Sequence, residues 1–242
     1  MNFLEKLPLE INSSRPLFIR EEKILLSSSA EPIYSILYIS DIHFSDRDGV
    51  KRIDQILETV QQAKPDLVLF GGDLVDNRKG ILTLRDCVRN ISHLAPLASV
   101  SGNHDHSVGV KEVKKAVLDG GGTWLEDKSI SLCLGGKPFR IEGKLKKDDG
   151  NSATRILCSH FPSVFPKAVD YGYRLVLAGH LHGCQFVFWQ KGERLFPGAW
   201  FYQWNGLRFQ EGPCSLLVSR GVSDSVPIRW NCPREVLLCK IY

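Results

Sequence analysis

Five short motifs gather the side chains of this chain that are best suited to gripping cations. They are Asp41-Ile42-His43, Gly71-Gly72-Asp73, Gly102-Asn103-His104-Asp105, Ser159-His160 and Gly179-His180-Leu181-His182. Each directly follows an apolar, β-rich run, so each falls where a strand ends. Sites in open α/β sheets form outside the carboxyl ends of strands, and five such ends can converge on one place. Side chains at i and i+2 of an extended segment point to one side, which would let Asp41 act with His43 and His180 with His182. Carboxylate, imidazole and amide oxygen together suit a borderline-hard divalent ion such as Mn²⁺, Fe²⁺ or Zn²⁺. No cysteine lies among these candidates, which disfavours a structural zinc knot.

Each motif alone has an ordinary reading. Asp-x-His is commonly a turn, Asp73 could cap the helix that follows it, and Asn103 could be a left-handed turn residue. The conjunction carries the argument: five of the seven histidines fall at strand ends within these motifs. The other two are His93, at the end of a helical stretch, and His106, which could line the site or be solvated. No Gly-Lys-Ser/Thr follows the glycine-rich turns, so a nucleotide-cradling loop is excluded.

The elements that must position these groups alternate in the first half. Strands are expected at 33–39, 67–70 and 97–101. Helices are expected at 50–63 (Val50, Ile53, Ile56, Leu57, Val60), 81–94 (Leu84, Cys87, Val88, Ile91) and 109–118, the last ended by Gly120-Gly121-Gly122. Such alternation argues for βαβ units with parallel strands. The second half reads as short strands at 129–134, 139–145, 154–158, 173–178, 185–189, 214–219 and 235–241. Two sheets packed face to face with helices outside accommodate both halves. No linker separates them, so residues 33–242 form one domain, preceded by a peripheral lead-in over 1–32 with a loop at Ser27-Ser28-Ser29.

The chain has 242 residues and a net charge of +4. That charge argues against a partner bound mainly by charge, such as nucleic acid. The seven cysteines are odd in number and irregularly spaced, which fits reduced core thiols. The start, Met1-Asn2-Phe3-Leu4-Glu5-Lys6, carries charges where a signal peptide needs an apolar run. No apolar run is long enough to span a bilayer. A cytoplasmic location follows as the expectation.

Taken in order, Asp41-Ile42-His43, Gly72-Asp73-Leu74-Val75-Asp76, Gly102-Asn103-His104-Asp105, His160 and Gly179-His180-Leu181-His182 resemble the signature of the calcineurin-like metallophosphoesterases. Ser159-His160-Phe161-Pro162, His182-Gly183-Cys184-Gln185, Val218-Ser219-Arg220-Gly221 and Pro227-Ile228-Arg229 resemble its small bacterial phosphodiesterase-like branch, often membrane-associated. Cys184 departs from the glycine commoner there. The resemblance implies a four-layer α/β/β/α sandwich of two mixed β-sheets, and hydrolysis of phosphoester bonds by two divalent metal ions. Asp41, His43 and His182 would hold one metal, Asn103, His160 and His180 the other, and Asp73 would bridge them. His104 would be the general acid, with Asp76 and Asp105 orienting the groups around them.

The expected substrate is a small-molecule or lipid-linked phosphodiester or pyrophosphate, such as a UDP-diacylglucosamine type molecule. Residues 195–209 are rich in aromatics: Phe196, Trp200, Phe201, Tyr202, Trp204 and Phe209. Most of these rings are expected in the core, and a rim for lipid with peripheral membrane contact is the sharper reading. A nuclease or phosphomonoesterase of the same fold is one alternative. A non-catalytic protein-binding scaffold is another, disfavoured because no ligand block is broken. Nothing in the sequence sets the oligomeric state.

Overall fold

The structure is a computed structural model that describes residues 9–11, 15–26, 29–45, 49–150 and 152–242. The N-terminal run read for a leader and the first two serines of the expected loop lie outside them. The first half contains β1 (Leu9–Ile11), β2 (Phe18–Ile24), β3 (Tyr34–Ile39), α1 (Gly49–Ala63), β4 (Leu67–Gly71), α2 (Gly80–Ser92), β5 (Leu97–Val100), α3 (Asn103–Val108), α4 (Val110–Asp119) and β6 (Thr123–Trp124). The second contains β7 (Ile130–Leu134), β8 (Lys137–Glu142), β9 (Thr154–Cys158), α5 (Phe165–Asp170), β10 (Leu175–Ala178), β11 (Val187–Lys191), β12 (Arg194–Pro197), β13 (Arg208–Glu211), β14 (Cys214–Val218), β15 (Ile228–Trp230) and β16 (Glu235–Ile241).

Two six-stranded mixed sheets result, in the orders β2-β16-β3-β4-β5-β6 and β13-β14-β10-β9-β8-β7. The centre of each is parallel: β3 to β6 in the first, and β8, β9, β10 and β14 in the second. The sequences of β3, β4, β5, β9, β10 and β14 are largely apolar because both of their faces are covered. Along β3 and β4 the alternation sorts side chains between two cores. Ile36, Tyr38, Leu67 and Leu69 meet Ile156, Cys158, Leu175 and Leu177 of the other sheet, while Leu37, Ile39, Val68 and Phe70 pack under Ile56, Val60, Leu84, Val88, Val113 and Val117 of the helices. Outside the second sheet, Leu157, Val176, Leu216 and Val218 are covered by Phe165 and Ala168 of α5 with Tyr173. Among the described residues the fourth layer is thus the short α5, too brief for a periodic pattern to mark it in the sequence.

The lead-in is not wholly peripheral. β2 pairs in parallel with β16 along its full length, and Arg20 Nη2 donates to the Val218 carbonyl of the second sheet at 2.9 Å. Among the described residues no helix is long and apolar enough to cross a membrane.

Candidate metal centre

The parallel strands of both sheets end on one side of the molecule. Asp41 and His43 follow β3, Asp73 follows β4, and Asn103, His104 and Asp105 open α3 after β5. From the other sheet, His160 follows β9, and His180 and His182 follow β10. The local backbone is not the extended one expected. Asp41, His43, Asp73, His180 and His182 take φ of 56°, 51°, 51°, 73° and 50°. These are left-handed values that cost energy in a non-glycine residue and cluster at functional sites. Alternation along a strand therefore does not aim these pairs; each ligand-type residue makes its own turn. The turns are tied to one another, since Asp41 N donates to Gly72 O at 3.0 Å and His43 N to Asp73 O at 2.9 Å. Close approach requires glycine at Gly102, where a Cβ would lie 2.2 Å from Asp73 Oδ1.

The side chains form two clusters about one carboxylate. Asp41, His43 and His182 place ligand atoms within 4.8 Å of one another, and so do Asp73, His160 and His180. Asp73 Oδ2 lies 3.1 Å from His160 Nε2 and 3.9 Å from His43 Nε2, so it faces both groups. Asn103 Oδ1 joins the second cluster, 3.2 Å from His160 Nε2, and His180 presents Nδ1 to it at 3.2 Å. Asp41 Oδ1 is 3.5 Å from His182 Nε2 in the first. Asp41, Asp73, His43, His160 and His182 are all buried.

The outer atoms fix the inner ones. His160 Nδ1–H donates to Gly71 O at 3.0 Å, and His182 Nδ1–H to Ser223 O at 3.0 Å. His43 Nδ1 bonds Asp76 Oδ1 at 2.6 Å. In each case this leaves Nε2 turned inward with its lone pair available, as a metal ligand requires. His43 Nε2 is buried and has no hydrogen-bond partner, an arrangement that costs energy unless a cation occupies the far side. The residues present therefore fit a pair of divalent ions.

Charge follows the same plan. Burial pulls Asp73 upward, yet the hydrogen bond and charge of His160, the His104 N–H and His43 bring its carboxyl down to about 2. Burial disfavours the charged form of His43, but Asp76, Asp41 and Asp73 raise it overall. His182 is pushed down, chiefly by burial.

The remaining expected residues divide. Asp76 Oδ1 also lies 2.9 Å from His104 Nδ1, so one carboxylate orients two imidazoles. His104 is exposed, its ring edge-on to His43 with centroids 4.6 Å apart. Asp105 does not face the cluster. It accepts from the N–H groups of Leu74, Val75 and Gly102 at 2.9, 3.1 and 2.8 Å, clamping the turn that carries Asp73 to the start of α3. Burial pushes its carboxyl up to about 6. Asn103 opens α3 instead of a left-handed turn. Asp73 does cap a helix, α3 and not its successor in sequence, since Oδ1 accepts from His104 N at 2.9 Å. His93 caps the end of α2, and His106 is exposed, 3.1 Å from Ser101 Oγ.

Two supporting residues escaped the motif reading, and a third, Arg229, belongs to the Pro227-Ile228-Arg229 motif. Ser40 Oγ donates to Asp41 Oδ2 at 2.6 Å. Ser223 supplies the carbonyl for His182. Arg229, fully buried, donates to Ser223 O at 2.6 Å and Arg220 O at 2.8 Å and is paired with Asp224. Ser40 has a signal, its place beside Asp41; Ser223 acts through its carbonyl, which leaves none.

The sequence profile described as calcineurin-like phosphoesterase matches residues 34–184, from β3 through the last histidine motif. Phosphodiesterase YaeI of Escherichia coli K12 is 26% identical over 237 residues, covering 92% of this chain and 87% of the relative. An uncharacterized metallophosphoesterase of Aquifex aeolicus is 28% identical over 249 residues, covering 93% and 92%. Among solved structures, the protein TT1561 of Thermus thermophilus shares the fold, with a TM-score of 0.50 at 12% identity over 77% of this chain and 88% of that one. With strand ends, carboxylates and imidazoles in this arrangement, the chain belongs to the calcineurin-like phosphoesterase family, metal-dependent hydrolases of phosphoester bonds.

Proposed function

We propose that the chain hydrolyses a phosphodiester or a pyrophosphate with Asp41, His43 and His182 holding one divalent ion, Asn103, His160 and His180 the other, and Asp73 shared. The observation that carries this reading is Asp73 Oδ2 between His160 Nε2 and His43 Nε2, the latter buried without a partner. The mixed oxygen and nitrogen donors suit Mn²⁺, Fe²⁺ or Zn²⁺. When bound, two such ions supply Lewis acidity toward the phosphoryl oxygens and make water a nucleophile near neutral pH.

The chain's own residues do the rest. His104 delivers a proton from Nε2 to the leaving oxygen as the phosphorus–oxygen bond to it breaks and the bond to water's oxygen forms. Asp76 holds the other side of that ring, with Oδ1 2.9 Å from Nδ1. Asp105 keeps the Asp73 turn in register with α3. Removing the acid selectively slows poor leaving groups: His104→Ala should lose about 10²–10⁴-fold on alkyl diesters and far less on p-nitrophenyl esters. Equal losses on both would reject the acid role.

We carry the reading further to a lipid-linked substrate. Its support is a cavity of about 340 Å³ that places His180 beside Phe161, Pro162, Leu181, Phe201, Tyr202 and Trp204, with Ser163 and Gln203 as its uncharged polar lining. An apolar group next to the scissile bond fits that lining better than a second charged group does. Turnover of acylated and unacylated diesters tests it, with preference for the acylated one expected.

A further inference from the structure

The aromatic rings that the fold leaves in water are concentrated beside the site. Phe188, Trp189, Trp200, Phe201 and Tyr202 are 61, 43, 66, 78 and 53% exposed. They belong to the small β11–β12 sheet and the turn after it, and four of the five β11 residues are exposed. Trp189, Phe196 and Trp200 touch one another, with centroids 5.2–5.9 Å apart. These rings are not spare core, because Trp204 and Phe209 already fill that place in contact with each other and, through Trp204, with Phe165.

Two further observations identify what would cover this ridge. Residues 186–190 and 195–205 contain no charged side chain, and the turn between them exposes Lys191 and Arg194 against the single acid Glu193. Apolar rings flanked by net positive charge complement an anionic lipid interface, where Trp and Tyr settle at headgroup depth. The ridge is also continuous with the site: Phe201 and Tyr202 belong to the cavity that reaches His180, and Tyr202 also lines a second one beside His180 and His182. We propose that the Phe188–Tyr202 ridge docks the protein on an anionic phospholipid bilayer, bringing that cavity to the headgroup layer. The inference rests on the lipid-linked reading for the origin of the substrate, and its test separates the two.

The test is sedimentation with vesicles of phosphatidylcholine and phosphatidylglycerol, comparing the intact chain with Phe188→Ser/Trp200→Ser, two exposed rings outside both cavities. The expected result is binding by the intact chain and at least tenfold weaker binding by the variant, with circular dichroism and turnover of a soluble diester unchanged. Lys191→Glu/Arg194→Glu should weaken binding to the anionic vesicles and leave the weaker binding to pure phosphatidylcholine unaltered. An intact chain that stays in the supernatant, or a ring variant that sediments equally well, overturns the proposal. So does light scattering that finds a dimer which the ring variant dissolves, since a second copy would then cover the ridge. Ring-dependent vesicle binding with equal turnover of acylated and unacylated substrates supports the docking and ends the lipid-linked reading alone.

Discussion

Adding one methyl group at Gly179 tests how tightly the site is built. Gly179 links the end of β10 to His180, and its φ is not left-handed, so alanine meets no backbone penalty. Its Cβ would lie 2.5 Å from Asp41 Oδ2, 2.5 Å from Ser40 Oγ and 2.7 Å from Ser40 Cβ. Such contacts do not occur below 3.0 Å, so the groups must part by about half an ångström. Asp41 has nowhere to go without loss, because Ser40 Oγ and His180 N hold it at 2.6 and 3.0 Å. A site of this kind tolerates about 0.5 Å of displacement, and about 1 Å costs on the order of 10²-fold. Gly179→Ala should therefore lose about 10–10²-fold in kcat/KM, roughly 1.4–2.7 kcal/mol. Overpacking adds about 1–3 kcal/mol of destabilisation, too little to unfold the domain. The assay is initial rate on a soluble diester against added Mn²⁺, with circular dichroism as the control. Normal turnover with normal metal dependence would refute the reasoning.

Three further outcomes follow from the same contacts. Asp76→Asn removes the carboxylate that orients His43 and His104, and should cost about 10–100-fold in metal affinity or activity; competition with a chelator measures the first, and no change in either would contradict the assignment. Arg229→Met removes one of the two arginines paired with Asp224, the other being Arg234, and frees the Ser223 carbonyl, so it should destabilise by about 1–3 kcal/mol and lower the Tm by roughly 3–10 °C; a thermal melt within 2 °C of the parent, roughly the shift of less than 1 kcal/mol, would count against it. Metal at a hundredfold excess over its Kd should stabilise by about 2.7 kcal/mol and raise the Tm by roughly 5–10 °C, reversibly with chelator; an indifferent melt would show that the cluster does not take the ion.

The sequence exposed the site through chemistry more than through conformation. Asp41, Asp73, Asn103, His160, His180 and His182 could be chosen because their types recur where apolar runs stop. The left-handed φ values of Asp41, His43, Asp73, His180 and His182 could not, because the turns are set by Gly72, Gly102 and the neighbouring loop and not by the residues' own preferences. The buried strands β3, β4, β5, β9 and β10 announce themselves as apolar runs. β2 does not: Arg20-Glu21-Glu22-Lys23 reads as surface, and its pairing with β16 depends on a partner more than two hundred residues away. β12, β13 and β15 are short and half exposed, so no periodic pattern marks them. The aromatic stretch was legible as a feature but not as a division of labour. Only packing separates Trp204, held against Phe165, from Trp200, which stands in solvent.

The central claim concerns two ions sharing the Asp73 carboxylate. Anomalous diffraction from crystals grown with Mn²⁺ tests it most directly. The account predicts two peaks about 3.5–4 Å apart, one against Asp41, His43 and His182 and the other against Asn103, His160 and His180, with Asp73 touching both. A single peak, or two peaks in separate pockets with Asp73 touching neither, would contradict it.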